Sequence, residues 1–207
     1  MTNTNVGPLR LAVGSHKAGS GRGCAMNVIS WENGDSRISD MPDCTHPFLS
    51  RVVQLLNDSI CAHRDGDLLC ADCSVIVLGL AHRTVGTADA DPDGRVMVRI
   101  AAEEAQRVAH LNSDPRVQAA IDAALAWADT PTAAAAYAAN AAAGRVVAYA
   151  ATRATHAAAY AAYAAAGRVE QTERIIDRFR ALTGHDTTAP DPTVTAQAIT
   201  RMLQVTA

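Results

Sequence analysis

Apolar residues recur at intervals of three and four along most of the chain, which is the spacing of one buried helix face. Leu49, Val52, Val53 and Leu56 show this spacing clearly. No stretch alternates apolar and polar residues convincingly enough to supply partner strands, so the apolar run at 75–78 is also assigned to a helix. The pattern predicts an all-α fold. Helices are expected at about 24–32, 47–58, 68–82, 95–111, 116–128, 132–166, 168–182 and 194–205.

The stretch from 132 to 167 is dominated by alanine. Alanine loses no side-chain entropy in a helix, so this stretch is expected to be one long helix. Asp129 and Thr132 offer capping groups, and Pro131 suits a first turn. Small side chains allow neighbouring helices to approach closely. The sequence therefore predicts an irregular multi-helix bundle around a long alanine-rich helix, and the same close approach favours a homodimer.

The N-terminal region breaks the helical pattern. Four glycines fall between Gly14 and Gly23, and proline, aspartate, cysteine and histidine crowd the residues up to 46. Such composition is typical of loops. The predicted organisation is a flexible tail at 1–13, a single helical domain at 14–184 whose residues 14–46 form an irregular polar cap, and a linker with a short final helix at 185–207.

Composition and charge narrow the class of protein. The formal net charge is −3 and the pI is about 6.1, which argues against nucleic-acid binding through bulk electrostatics. No export signal or membrane-spanning window is evident, and the five cysteines are then expected to be reduced thiols in a cytoplasmic protein. The expected partner is a protein or a small anionic ligand.

The glycine-rich loop leads into Cys24 at the start of a predicted helix. Backbone amides and the helix dipole at such a position stabilise an anion. They also lower the pKa of a cysteine, so Cys24 could act as a nucleophile with His16 or His46 as its base. A tightly packed loop with a buried cysteine is the structural alternative. The candidate ligand-binding residues are Ser15, Gly21, Arg22, Gly23, Asn27 and Asp40.

A second candidate site lies at Cys61, His63, Cys70 and Cys73. Zinc accepts sulfur and imidazole ligands, and the C-x2-C pair matches a common zinc half-site. The two halves stand closer in sequence than in most structural zinc modules, and cysteines three residues apart on a helix also pack as small apolar residues. No cofactor is otherwise expected, and zinc is the alternative.

A series of short motifs runs along the first ninety residues: Gly14-Ser15-His16, Gly23-Cys24-Ala25-Met26-Asn27, Ser30, Gly34, Ser39-Asp40-Met41-Pro42-Asp43-Cys44, Pro47, Asn57-Asp58 and Gly86-Thr87. These motifs resemble a pattern in uncharacterised alanine-rich proteins of high-GC bacteria and their phages. The likeness spans roughly 9–182 and implies that residues 14–58 form a unit, but it brings no activity. Those proteins often carry an acidic residue where this chain has Asn27, and the cysteines at 61–73 lie outside the shared pattern.

Three functional hypotheses follow from these residues. The first is a non-enzymatic binding or regulatory helical protein, encoded by a phage, whose working surface is the polar cap. The second is a thiol-dependent enzyme that uses Cys24 with His16 or His46. The third is a helical protein stabilised by zinc. The sequence favours the non-enzymatic interpretation.

Overall fold

The computed structural model describes residues 10–14, 16, 20–111, 114–136, 138–139 and 167–185. These residues confirm the all-α prediction, since within them extended backbone pairs only in isolated bridges. None of the helices in these ranges is long and apolar enough to cross a membrane. The helices are α1 Ala25–Asn33, α2 Pro47–Ser59, α3 Ala71–His82, α4 Arg95–Val108, α5 Pro115–Asp129 and α6 Arg168–Thr183, with a 3-10 turn at Ala109–Leu111.

The described chain divides into two compact units. The first holds the described residues from 10 to 90, with 172–176 and 185. The second holds those from 91 to 139, with 167–171 and 177–184. The candidate site residues all belong to the first unit, and the prediction of a single domain at 14–184 stays a prediction.

The first unit is built on α1, α2 and α3, which pack against one another. The apolar positions of α2 that define its sequence pattern are buried, with Leu49, Val53 and Leu56 fully enclosed. His82 at the end of α3 adds a polar contact to this core, because its Nε2 lies 2.7 Å from the Glu32 carboxylate of α1. Apolar burial therefore holds the three helices together, and this one pair ties α3 to α1.

Both ends of α1 follow from local residues. Cys24 is the N-cap residue, and its backbone N–H donates to Asn27 Oδ1 at 3.0 Å. Gly34 ends the helix with a φ of 76°, a conformation that favours glycine, and its N–H bonds back to Ser30 and Trp31. The helix predicted at about 24–32 is confirmed, and it ends at Asn33.

Two predicted helix boundaries need correction. The helix expected at 68–82 begins only at Ala71, because Leu68 and Leu69 are extended: Leu68 forms a bridge with Ala12, and the Leu69 N–H donates to Leu11 O at 2.8 Å. Its apolar sequence led to the wrong start, since a short apolar run fits a buried extended segment equally well. The helix expected at 95–111 ends at Val108 and tightens into the 3-10 turn.

Residues 10–13 lie in the segment predicted to be a flexible tail, yet the structure places Leu11 and Ala12 in the core, 1% and 0% exposed. Asn57 Nδ2 donates to Ala12 O at 2.9 Å, and the Ala12 N–H donates to Gly23 O at 2.9 Å. The described residues 10–14, called the N-terminal segment below, are therefore part of the first unit.

The second unit contains α4 packed against α5. Buried Asp91 receives the N–H groups of Val96 and Met97 at 3.0 and 2.8 Å, which satisfies the start of α4. Arg178 of α6 forms a two-bond ion pair with Glu103 of α4, at 2.9 and 2.7 Å.

The predicted alanine-rich helix is described only at its beginning. Thr132 Oγ1 accepts the N–H of Ala135 at 3.1 Å, and residues 133–136, 138 and 139 are helical. This beginning matches the predicted capping. The remainder of the predicted helix at 140–166, and the predicted helix at 194–205, lie outside the described residues.

Candidate metal centre

Three cysteines of the first unit come together in space. The sulfur atoms of Cys61, Cys70 and Cys73 all lie within 4.8 Å of one another, and Cys70 and Cys73 are partly exposed. We call them the cysteine cluster. Cys61 follows the end of α2, Cys70 is the N-cap of α3 and Cys73 lies in the first turn of α3. The cluster therefore joins the end of one core helix to the start of the next.

A tight reverse turn produces this convergence. Asp65 and Leu68 exchange both backbone hydrogen bonds at 3.0 Å, and Gly66 between them has a φ of 61°. That conformation is strained for residues other than glycine. The turn reverses the chain between the two halves of the cluster, so cysteines that stand nine residues apart in sequence meet at one place. Residues 61–70 are called the cluster loop below.

Backbone amides prepare one of the sulfurs for negative charge. The Cys70 N–H donates to Cys61 Sγ at 3.3 Å. Burial acts to raise the pKa of Cys61, but the backbone N–H groups of Cys70 and His63, with the neighbouring thiols, outweigh it and lower that pKa. Thiolates are the metal-binding form of cysteine, so this sulfur is already partly prepared as a ligand.

Cys73 shows the opposite tendency. Burial, followed by the hydrogen bonds and charges of the Cys70 and Cys61 sulfurs, raises the pKa of Cys73 to about 12. Three thiolates crowded together repel one another, so without a cation one site keeps its proton. A bound divalent cation would remove that repulsion, which is why a sulfur cluster of this kind suits a metal ion.

His63 stands apart from the other three predicted ligands. It lies in an exposed turn of the cluster loop, and the group of converging ligand atoms found among the described residues consists of the three sulfurs. The structure therefore brings together Cys61, Cys70 and Cys73 but leaves the His63 ring outside the cluster.

The cluster loop also holds the N-terminal segment. Besides the bond from Leu69 to Leu11, the Val13 N–H donates to Asp67 O at 2.8 Å. Arg10 Nε donates to Leu69 O at 3.1 Å. The loop that carries the sulfurs thus serves as a short pairing edge for the buried residues 11 and 12.

The proposed catalytic thiol is placed quite differently. Cys24 is only 2% exposed, and burial raises its pKa to about 11 even though the N–H groups of Asn27 and Met26 oppose the rise. This environment favours the neutral thiol at neutral pH. His16 Nε2 lies 2.9 Å from Val13 O, and His46 Nδ1 accepts the Phe48 N–H at the start of α2. The catalytic assignment of these three residues remains a prediction that their surroundings do not favour.

The predicted anion-binding residues also have structural partners. The first N–H groups at the start of α1 are already used, because the Cys24 N–H bonds to Asn27 and the Ala25 N–H bonds to Asn57 Oδ1 at 3.3 Å. An anion would have to displace these side chains.

The other predicted ligand-binding residues lie around this helix start. Gly21 is exposed with a φ of 73°, and Arg22 pairs with the Asp67 carboxylate. The carbonyl of buried Gly23 accepts the Ala12 N–H, and the carbonyl of Asp40 accepts from Gln54 Nε2. Ser15 lies outside the described residues.

Two polar hubs of this region were missed as structural residues. Asn57 bonds to both Ala12 and Ala25, and Asp58 Oδ1 accepts the Gly14 N–H at 2.8 Å. The Asn57-Asp58 pair stood in the resemblance pattern, and a polar pair on a helix face that is otherwise apolar was the available signal.

Asp35 is the second hub. Its Oδ2 accepts from Ser30 Oγ at 2.7 Å and from the Asp43 N–H at 3.2 Å, and Ser30 Oγ in turn accepts the Ser39 N–H at 3.1 Å. Burial acts to raise the pKa of Asp35, but these hydrogen bonds and that of Asn33 lower it. Polar residues of the predicted cap thus fold the segment onto α1.

Comparison of the chain with protein-family models, curated proteins and solved structures found no match. The assignment of a function therefore rests on the geometry of the site.

Proposed function

We propose that this chain is a non-enzymatic helical binding protein whose first unit is organised by a zinc ion held on Cys61, Cys70 and Cys73. The observation that carries the proposal is the approach of the three sulfurs to within 4.8 Å. With zinc–sulfur distances near 2.3 Å, tetrahedral ligands stand about 3.8 Å apart. The sulfurs need to close by no more than about 1 Å to reach that spacing.

The chemistry of the ligands favours zinc over other common cations. Calcium and magnesium prefer oxygen ligands, whereas thiolates suit zinc and other thiophilic ions. The amides that face Cys61 Sγ support the thiolate form, because hydrogen bonds to a ligand tune its orientation and basicity.

The position of the cluster supports a stabilising role. It connects the end of α2 with the first turn of α3, and its loop pairs with the N-terminal segment. A metal at this point would hold three parts of the first unit together. Metal-binding free energy of this kind contributes directly to folding.

Metal content of the purified chain tests the proposal. The full chain would be purified under reducing conditions, and its zinc measured by native mass spectrometry together with a colorimetric chelator assay. We expect one zinc per chain in the wild type and in Cys44→Ser, since Cys44 is also partly exposed but lies outside the cluster. Cys61→Ser and Cys73→Ser should lose the metal. A wild-type chain that fails to retain zinc after reconstitution would overturn the proposal.

A further inference from the structure

We infer that His63 supplies the fourth ligand of the proposed metal site and closes it as a three-sulfur, one-nitrogen set. The inference rests on the metal site proposed above. His63 follows Cys61 by two residues, and its backbone N–H lies against the Cys61 sulfur. The root of the imidazole side chain is therefore fixed beside the cluster.

The His63 side chain is exposed, so its ring is free of the packing that would lock its orientation. Rotation about its two side-chain torsions can turn a ring nitrogen toward the sulfurs without a change in the backbone of the cluster loop. The cluster is not sealed from solvent, since Cys70 and Cys73 are only partly buried. A metal ion supplies the attraction that would hold the ring there.

The acidic residues near the cluster are less suited to this position. Asp65 pairs with Arg10 at 3.4 Å, and Asp67 pairs with Arg22. Asp72 lies between the two helix cysteines, but successive residues turn by about 100° around a helix axis. Its direction thus differs by about 100° from that of Cys73, and its carboxylate is not among the converging ligand atoms found in the described residues.

The net charge of the site also favours His63 over an aspartate as the fourth ligand. Three thiolates and a neutral imidazole around a divalent cation leave one net negative charge, whereas a carboxylate in the fourth position leaves two. The partly buried cluster penalises each additional charge. Imidazole is also a usual partner of three cysteines in structural zinc sites.

A closed site has a functional consequence. Catalytic zinc sites keep one position for water or substrate, and structural sites fill all four with protein ligands. With His63 bound, the ion would have no position left for a substrate. This agrees with a stabilising role and separates the site from zinc-dependent hydrolases.

Cobalt substitution tests the fourth ligand directly. The full chain would be reconstituted with Co²⁺ alone, and its absorption compared among the wild type, His63→Ala, Asp72→Asn and His110→Ala. His110 is an exposed histidine of the second unit and serves as the matched control. In His63→Ala the sulfur-to-cobalt charge-transfer band should remain while the d–d bands shift. Zinc affinity should fall at least about tenfold, since even losses beyond the direct ligands cost that much. Asp72→Asn and His110→Ala should match the wild type.

The outcomes separate the two proposals. If the wild type shows no charge-transfer band and binds no zinc, the metal site itself is wrong. If the wild type binds cobalt through three thiolates and His63→Ala has the same spectrum and affinity, only the role of His63 is wrong. A shift of the d–d bands in Asp72→Asn would also overturn the role of His63.

His63→Cys guards against loss of folding in the alanine variant. It should bind tightly with a stronger charge-transfer band from four sulfurs. Tight binding with the band intensity of only three sulfurs would show that position 63 does not reach the ion.

Discussion

Cys24 and Cys70 both stand immediately before the first turn of a helix, yet their surroundings differ in kind. Cys24 is enclosed, its N–H is bonded to Asn27, and burial raises its pKa to about 11. Cys70 is partly exposed, and its N–H is bonded to the sulfur of a second cysteine, with a third in the next turn. A helix N-terminus does not by itself make a cysteine chemically active. At Cys24 desolvation outweighs the backbone hydrogen bonds and raises the pKa, whereas at Cys61 the backbone N–H groups and neighbouring sulfurs outweigh desolvation and lower it.

The start of α1 and the cluster loop therefore have different roles. The start of α1 is a packing and capping device in which polar side chains satisfy buried backbone groups. The cluster loop instead gathers sulfur ligands at a partly exposed turn. Changes to the first region should therefore alter stability without altering metal binding, and changes to the second should alter metal binding and, through it, stability.

Removal of the metal should give the largest effect. At a free zinc concentration about a thousand times its Kd, binding to the native state stabilises it by about 4 kcal/mol. Stripping the wild type with a chelator should therefore lower its thermal midpoint strongly, and hydrogen exchange should accelerate in residues 10–14, which pair with the cluster loop. Differential scanning calorimetry and hydrogen–deuterium exchange measure the two effects.

The chelator should leave the thermal midpoint of Cys61→Ser unchanged, because that variant has no metal to lose. It should lower the thermal midpoint of Cys44→Ser by as much as that of the wild type. Equal thermal midpoints with and without chelator in a zinc-loaded wild type would contradict the stabilising role of the ion.

Loss of Asn57 should give the next largest effect. This side chain is 1% exposed and bonds to Ala12 O and to the Ala25 N–H. Asn57→Ala would leave buried backbone groups without partners, at a cost of about 2–3 kcal/mol in the free energy of unfolding. Urea titration measures this loss, and Gln118→Ala, which removes an exposed glutamine pair, should change it by less than about 0.5 kcal/mol.

The same variant tests the separation of the two regions. Zinc affinity of Asn57→Ala should equal that of the wild type. A joint loss of stability and metal affinity would show that the start of α1 and the cluster loop act as one site.

Alkaline pH should expose the buried state of Cys24. Its pKa rises from 9.0 to about 11 in the folded chain, so the folded state holds the proton that the unfolded state releases. This contribution to the free energy of unfolding, about 3 kcal/mol, is complete below about pH 9 and is lost as the pH rises toward 11.

The difference between wild type and Cys24→Ala isolates this effect, because the other cysteines titrate in both chains. Urea midpoints measured from pH 8 to 11 should fall more steeply for the wild type. Parallel curves, or alkylation of native Cys24 by iodoacetamide at pH 7.5, would show that the thiol is not buried as described.

Sequence periodicity was sufficient for the helices because their stability comes from apolar faces that recur every three or four residues. It failed at Leu68 and Leu69, which lie in an extended segment paired with residues 11 and 12, and of which Leu69 is fully buried. That pairing joins parts of the chain more than fifty residues apart. Local spacing carries no information about it.

The cluster could be predicted in composition but not in geometry. The types Cys61, Cys70 and Cys73 suggested metal binding, while their short separation argued against it. The reverse turn centred on Gly66 resolves the difficulty by folding the loop back on itself. At Cys24 the sequence showed glycine and a helix start but did not decide burial, because its neighbours Gly23 and Ala25 are held by residues distant in sequence, Ala12 and Asn57.

The smallest expected effect concerns the one described ion pair that joins the two regions. Arg22 lies just before Cys24, and Asp67 lies in the cluster loop; their side chains are 53% and 33% exposed. Exposed pairs contribute about 0–1 kcal/mol, so Arg22→Ala should lower the free energy of unfolding by no more than about 0.5 kcal/mol. A double-mutant cycle with Asp67→Asn in urea measures the coupling, and 1 M salt should abolish it.

Asp67→Asn keeps the backbone carbonyl that accepts from Val13, so the N-terminal segment stays paired. A coupling above about 1 kcal/mol that survives salt would mean that the glycine-rich segment and the cluster loop stabilise each other. The division into a capping region and a metal-binding region would then have to be abandoned.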